Sequence, residues 1–143
     1  MAHRVHDHNQ PNQLFRAPIP ENATDILDVG CGEGSWPIDV ADQFPNSNAH
    51  TSAETLRFTD TVPVTVHGVD LYPPPQTWVP PNCILEVDDA AKPWTFTQKF
   101  DLIHLRWMLG SFSEAGWSEF YEQAYRYASR RFQVLTTLTH LGI

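Results

Sequence analysis

Three glycines at alternate positions, Gly30, Gly32 and Gly34, follow the apolar residues Ile26, Leu27 and Val29. An apolar strand running into such a loop offers bare backbone to a ligand, because a missing Cβ lets the ligand lie against the main chain. Asp28 precedes the loop, so residues 28–34 read Asp-x-Gly-x-Gly-x-Gly. A dinucleotide loop of the Gly-x-Gly-x-x-Gly kind would place its third glycine at position 35, which is Ser35. A second candidate is Asp70, closing the apolar run Val66-His-Gly-Val-Asp70. An acid at the end of a strand beside a glycine loop accepts hydrogen bonds from sugar hydroxyls. The usual separation is about 20 residues, and Gly34 to Asp70 is much longer. His104 lies among Leu102, Ile103 and Leu105, where it is either a base or a hydrogen-bonded core residue.

These residues need strands and helices to hold them. Trp36, Ile38, Val40, Ala41 and Phe44 give an apolar face to a helix over 36–44, with Pro37 in its first turn, where a missing N–H costs little. Further strands are predicted at 66–71, around Ile84, Leu85 and Val87, and at 100–105. Trp117, Phe120, Tyr121, Ala124 and Tyr125 recur at helical spacing, predicting a helix over 117–127 whose aromatic stripe is mostly core. Strands alternating with connecting segments imply an α/β fold with a parallel sheet.

The segments Leu27-Asp-Val-Gly-Cys-Gly-Glu-Gly-Ser-Trp-Pro-Ile-Asp39, Gly68-Val-Asp-Leu71, Trp78-Val-Pro-Pro-Asn-Cys83, Val87-Asp-Asp-Ala90, Lys92-Pro-Trp-Thr-Phe96 and Lys99-Phe-Asp-Leu-Ile-His104 occur in order. Together they resemble class I S-adenosylmethionine-dependent methyltransferases, and within them the fungal LaeA-like group linked to secondary metabolism. The resemblance covers roughly residues 22–126. It implies a Rossmann-like sheet with S-adenosyl-L-methionine as cofactor. Gly30, Gly32 and Gly34 would border the methionine part, with Asp28 shaping the loop. Asp70 would hold the ribose diol and Leu71 would lie against the adenine face. Asp89 and Ala90 would read the adenine edge, and Leu105 and Arg106 would line the methyl-donor pocket. No metal and no particular catalytic residue are implied. The acceptor, a protein side chain or a small metabolite, is left open.

The chain of 143 residues suits one domain. Its formal net charge of −8 gives no purchase on a phosphate backbone, which argues against direct nucleic-acid binding. Cys31 and Cys83 have no Cys-x-x-Cys spacing, so zinc is unsupported and free thiols in a reducing compartment are expected. The amino terminus carries no apolar signal-peptide core, and no run approaches the about 20 apolar residues that cross a bilayer. An intracellular, cytoplasmic or nuclear protein without membrane contact is expected.

Residues 1–21 read as a polar, histidine-bearing tail and an edge segment, followed by a partial methyltransferase domain over 22–143. His3, His6 and His8 read as tail rather than metal ligands. Residues 49–65 exceed the connection the resemblance implies and read as a loop insertion or a translated non-coding segment. A loop insertion is tolerable, since each doubling of a loop adds only about 0.6 kcal/mol. Tyr72 to Pro81 is proline-dense and reads as a stiff connector, with Trp78 turned inward. Trp94 and Phe96 are expected anchors of the following loop.

After Arg126 the resemblance implies a Pro-Gly-Gly turn, which is absent. Phe132–Leu138 could supply a surrogate fifth strand; otherwise the fourth strand is an open edge that invites self-association. Three functions follow: a methyltransferase; a truncated, catalytically inactive module that binds cofactor or a protein partner; and a nicotinamide-dependent oxidoreductase. Ser35 and the Asp89-Ala90 pair argue against the third.

Overall fold

The computed structural model describes residues 23–44, 63–129 and 134–137. Five strands form one parallel sheet: β1 (Asp25–Val29), β2 (Thr65–Asp70), β3 (Cys83–Val87), β4 (Leu102–Arg106) and β5 (Val134–Thr137). Their order is β3-β2-β1-β4-β5. Helices α1 (Ser35–Gln43) and α2 (Glu114–Tyr127) follow β1 and β4. Ile26, Leu27 and Val29 of the central strand are fully buried, as in parallel strands covered on both faces, with the buried Asp28 interrupting the apolar run.

The two faces hold separate cores. Against α1, Ile26, Val66 and Leu102 meet Trp36, Val40 and Ala41. On the opposite face, Leu27, Val29, Val69, Ile103 and Leu105 meet Trp94, Phe100, Phe120 and Ala124. Trp94 and Phe96 anchor their loop as expected. The Trp94 ring meets Phe120 edge-on at 5.5 Å and Phe96 meets Phe100 at 5.0 Å, geometries that aromatic quadrupoles favour. Tyr127 donates from its hydroxyl to the Trp94 carbonyl (2.5 Å), and Lys99 reaches the Arg126 carbonyl.

Several expectations are corrected. α2 begins at Glu114 rather than at 117, because Ser113 caps it and accepts from the Gly116 N–H at 3.1 Å. Its aromatic stripe is only partly core. Phe120 and Ala124 are buried, but Tyr121 and Tyr125 lie a step round the helix and are exposed. Trp78 is 67% exposed rather than inward. The space beneath is filled by Val79 and by Asn82, whose amide nitrogen lies 2.8–3.1 Å from the carbonyls of Ala41, Phe44 and Val64. β4 is not an edge, because β5 pairs with it from Ile103↔Val134 to Arg106↔Thr137. The surrogate strand therefore exists, and β3 and β5 are the outer strands. Val64 is buried and Thr65 opens β2, so these two residues belong to the domain. Residues 49–62 of the expected insertion and residues 1–21, with their histidines and edge segment, lie outside the described residues.

Candidate functional site

The carboxyl ends of β1, β2, β3 and β4 meet at one edge of the sheet. Gly30 and Cys31 both donate to the Val69 carbonyl, at 2.8 and 3.0 Å, which pins the start of the glycine loop to the end of β2. The Gly32 N–H donates to Asp70 Oδ2 at 2.8 Å, and the Tyr72 N–H donates to Asp70 Oδ1 at 3.1 Å. Asp70 thus stands over the loop with its carboxylate fixed from two sides. The Asp88 N–H donates to the Asp70 carbonyl at 2.9 Å, joining the end of β3. Asp89 follows, holding a tight turn through the N–H groups of Ala91 and Lys92, both at 2.9 Å. Gln76, from the proline-dense connector, donates to the Glu33 carbonyl at 3.2 Å.

The glycines do different work. A Cβ on Gly34 would stand 2.6 Å from Leu85 Cδ1, in a residue whose φ is +81°. Gly34 therefore allows β3 to pack against the start of α1. A Cβ on Gly32 would meet nothing within 4 Å, so this is the open part of the loop.

Beneath the loop lies a buried polar pair. His104 Nδ1 and Asp28 Oδ1 are 2.7 Å apart, and both side chains are almost fully buried. The pairing follows from register, since Asp28 and His104 are partners across β1 and β4. The His104 ring stacks on Trp36, with centroids 3.8 Å apart and planes within 7°. Burial pushes the Asp28 carboxyl above its ordinary range, opposed by the hydrogen bond and charge of His104. Of the two readings of His104, the structure shows the hydrogen-bonded core residue. Cys31 and Cys83 are free thiols, raised by burial to about 12 and about 11.

Asp28, Gly30, Gly32, Gly34, Asp70 and Asp89 are brought together as the sequence predicted. Leu71 is 64% exposed at the same edge and Ala90 is half-buried below it. Arg106 is exposed at the end of β4, whereas the Leu105 side chain is buried in the aromatic core. Sequence reasoning missed Trp36 and Gln76 as supports of this edge, and Asn82, which ties the end of α1 to the start of β2 at the opposite end of the sheet. Among the described residues no group of three potential metal ligands exists.

This edge and this strand order are those of a Rossmann-like α/β domain, and a family profile described as "Methyltransferase domain" matches residues 1–137. The chain belongs to that family. It is similar to the methyltransferase pytC of Aspergillus terreus, at 32% identity over 87% of this chain and 33% of pytC. It is also similar to the secondary metabolism regulator LAE1 of Cochliobolus heterostrophus, at 38% identity over 79% and 32% of the two chains. A further relative is the protein-methionine methyltransferase laeA of Emericella nidulans, at 33% identity over 78% and 25%. The chain thus spans between a quarter and a third of these relatives. Among solved structures, the plantazolicin methyltransferase BpumL in complex with SAH shares the fold, with a TM-score of 0.59 and 18% identity over 80% of this chain and 38% of BpumL.

Proposed function

We propose that this chain binds S-adenosyl-L-methionine at the carboxyl edge of its sheet and supplies the donor site of a methyltransferase acting in fungal secondary metabolism. The observation that carries the reading is the 2.8 Å bond from Gly32 to Asp70, which sets an open glycine turn beside a fixed carboxylate. The residues fit the cofactor. Asp70 suits a ribose diol, exposed Leu71 suits an adenine face, and the Asp89 turn suits its polar edge. Gly30, Gly32 and Gly34 border the amino-acid half, with Asp28 holding the loop from below. Ala90 and Arg106 complete the set, with Leu105 supporting the end of β4 from within the core.

The cofactor, when bound, brings an already activated methyl group. The protein then has to position donor and acceptor and keep water out. The relative named for protein methionine makes a thioether sulfur the first acceptor to try. A thioether has no proton to remove, so it needs no base. This agrees with His104 being buried and committed to Asp28. A protein partner or a second copy would pair along β3 or β5. Among the described residues no helix is long and apolar enough to cross a membrane, which accords with a cytoplasmic or nuclear site of action.

Calorimetric titration with S-adenosylhomocysteine and with NAD tests the proposal, followed by transfer of labelled methyl groups to N-acetylmethioninamide. Binding of the first ligand alone, with label on sulfur, is expected. Binding of NAD alone would move the chain to redox chemistry. Cofactor binding with no transfer to any acceptor would favour the non-catalytic module.

A further inference from the structure

Trp107 leaves β4 immediately after Arg106, and its φ is +61°. It is the one non-glycine residue with positive φ among the described residues. A bulky side chain in the left-handed region is strained, and such strain gathers where ligands are held. The indole is 68% exposed. The other buried or packed indoles have partners: Trp36 stacks on His104, Trp94 donates to the Ala90 carbonyl, and Trp117 meets Phe112. Among the described residues no ring stacks on Trp107 and no acceptor meets its Nε1–H.

The next residue turns toward the glycine loop. Met108 places its Sδ where a Cβ on Gly30 would stand. The Ser111 N–H donates to the Met108 carbonyl at 3.0 Å, which closes the turn. The exit of β4 therefore touches the first glycine of the loop, while Trp107 and the 73% exposed Leu109 stay at the rim. The left-handed kink divides two successive side chains between these tasks.

We propose that Trp107 is a cofactor-contacting residue whose indole face lies against the methylsulfonium of S-adenosyl-L-methionine and favours the cationic donor over its neutral thioether product. This rests on the cofactor reading above. A sulfonium is a soft, weakly hydrated cation, and indole presents the most favourable aromatic face to a cation. The preference would also help the product leave once its charge is gone.

The test compares calorimetric titrations with S-adenosyl-L-methionine, with S-adenosylhomocysteine, and with sinefungin, which carries a protonated amine in place of the methylsulfonium. The parent chain should bind the two cations about 3- to 30-fold more tightly than the neutral thioether. Trp107→Leu should erase that preference and leave the homocysteine Kd within about twofold; Trp107→Phe should keep part of it. Trp107→Gly, which relieves the backbone, should melt no lower than the parent and show the same loss. An unchanged preference in Trp107→Leu, equal weakening of all three ligands, or no preference in the parent overturns the inference alone. Failure of the parent to bind any of the three overturns the cofactor reading and the inference with it.

Discussion

The two faces of the sheet are built on different principles. The face under α2 is an aromatic core in which Trp94, Phe96, Phe100, Phe120 and Tyr127 meet one another at ring distances of 5.0 to 5.9 Å. The face under α1 carries the Asp28–His104 pair, Cys31 and Cys83, whereas the buried ionisable side chain on the aromatic face is His67, edge-on to Phe96 and Phe100. The difference lies in what each face must hold. The aromatic face supplies apolar burial and reaches the loop through Met108, which packs on that core and meets Gly30. The α1 face sits directly beneath Gly30–Gly34, where the chain turns sharply and needs directional bonds to fix its course.

Phe100→Ala should separate these roles with the largest effect. A fully buried aromatic replaced by alanine costs about 3–5 kcal/mol. Urea unfolding should show that loss, while the variant still folded binds S-adenosylhomocysteine within about twofold of the parent. His104→Ala should cost about 3 kcal/mol by leaving Asp28 buried without its partner. Unlike Phe100→Ala, it should also weaken the ligand, because Trp36 and the loop lose their support. Equal ligand affinity in both variants would erase the distinction between the faces.

Gly34→Ala is a smaller perturbation on the polar face. A side chain at φ +81° with its Cβ 2.6 Å from Leu85 should cost about 1–3 kcal/mol by thermal melting. Gly32→Ala, at φ +56° but with free space, should cost less and affect binding more. A further test concerns alkali. Cys31 and Cys83 ionise near 9.0 when unfolded but near 12 and 11 when folded, because burial disfavours the thiolates. The folded state therefore holds these protons longer, and stability falls as pH rises above 9 toward 11. A Cys31→Ser, Cys83→Ala double variant should lose most of that alkaline slope in melts across pH 8–11, and a slope unchanged from the parent would contradict the burial of the thiols.

Much of this architecture was legible in the residues. An apolar run into three glycines, and an acid closing the next strand, depend on local pattern and survived a connection far longer than usual. What escaped depends on distant partners. Asp28 and His104 are 76 positions apart, and only the register of β1 against β4 joins them. No local pattern marks Asn82, on which the carbonyls of Ala41, Phe44 and Val64 converge. Trp78, Tyr121 and Tyr125 were expected inside because aromatic residues bury well. Their exposure reflects neighbours that had already filled the space, which periodicity does not register.

The central claim is that Asp70 and the glycine loop form one adenosyl-binding edge. Calorimetric titration of the parent and of Asp70→Ala with S-adenosylhomocysteine measures it most directly. The parent should bind and the variant should lose at least about tenfold, the worth of hydrogen bonds to a charged carboxylate, while the melting point stays close to the parent's. Equal affinities in the two proteins, or no binding by a folded parent, would contradict the claim.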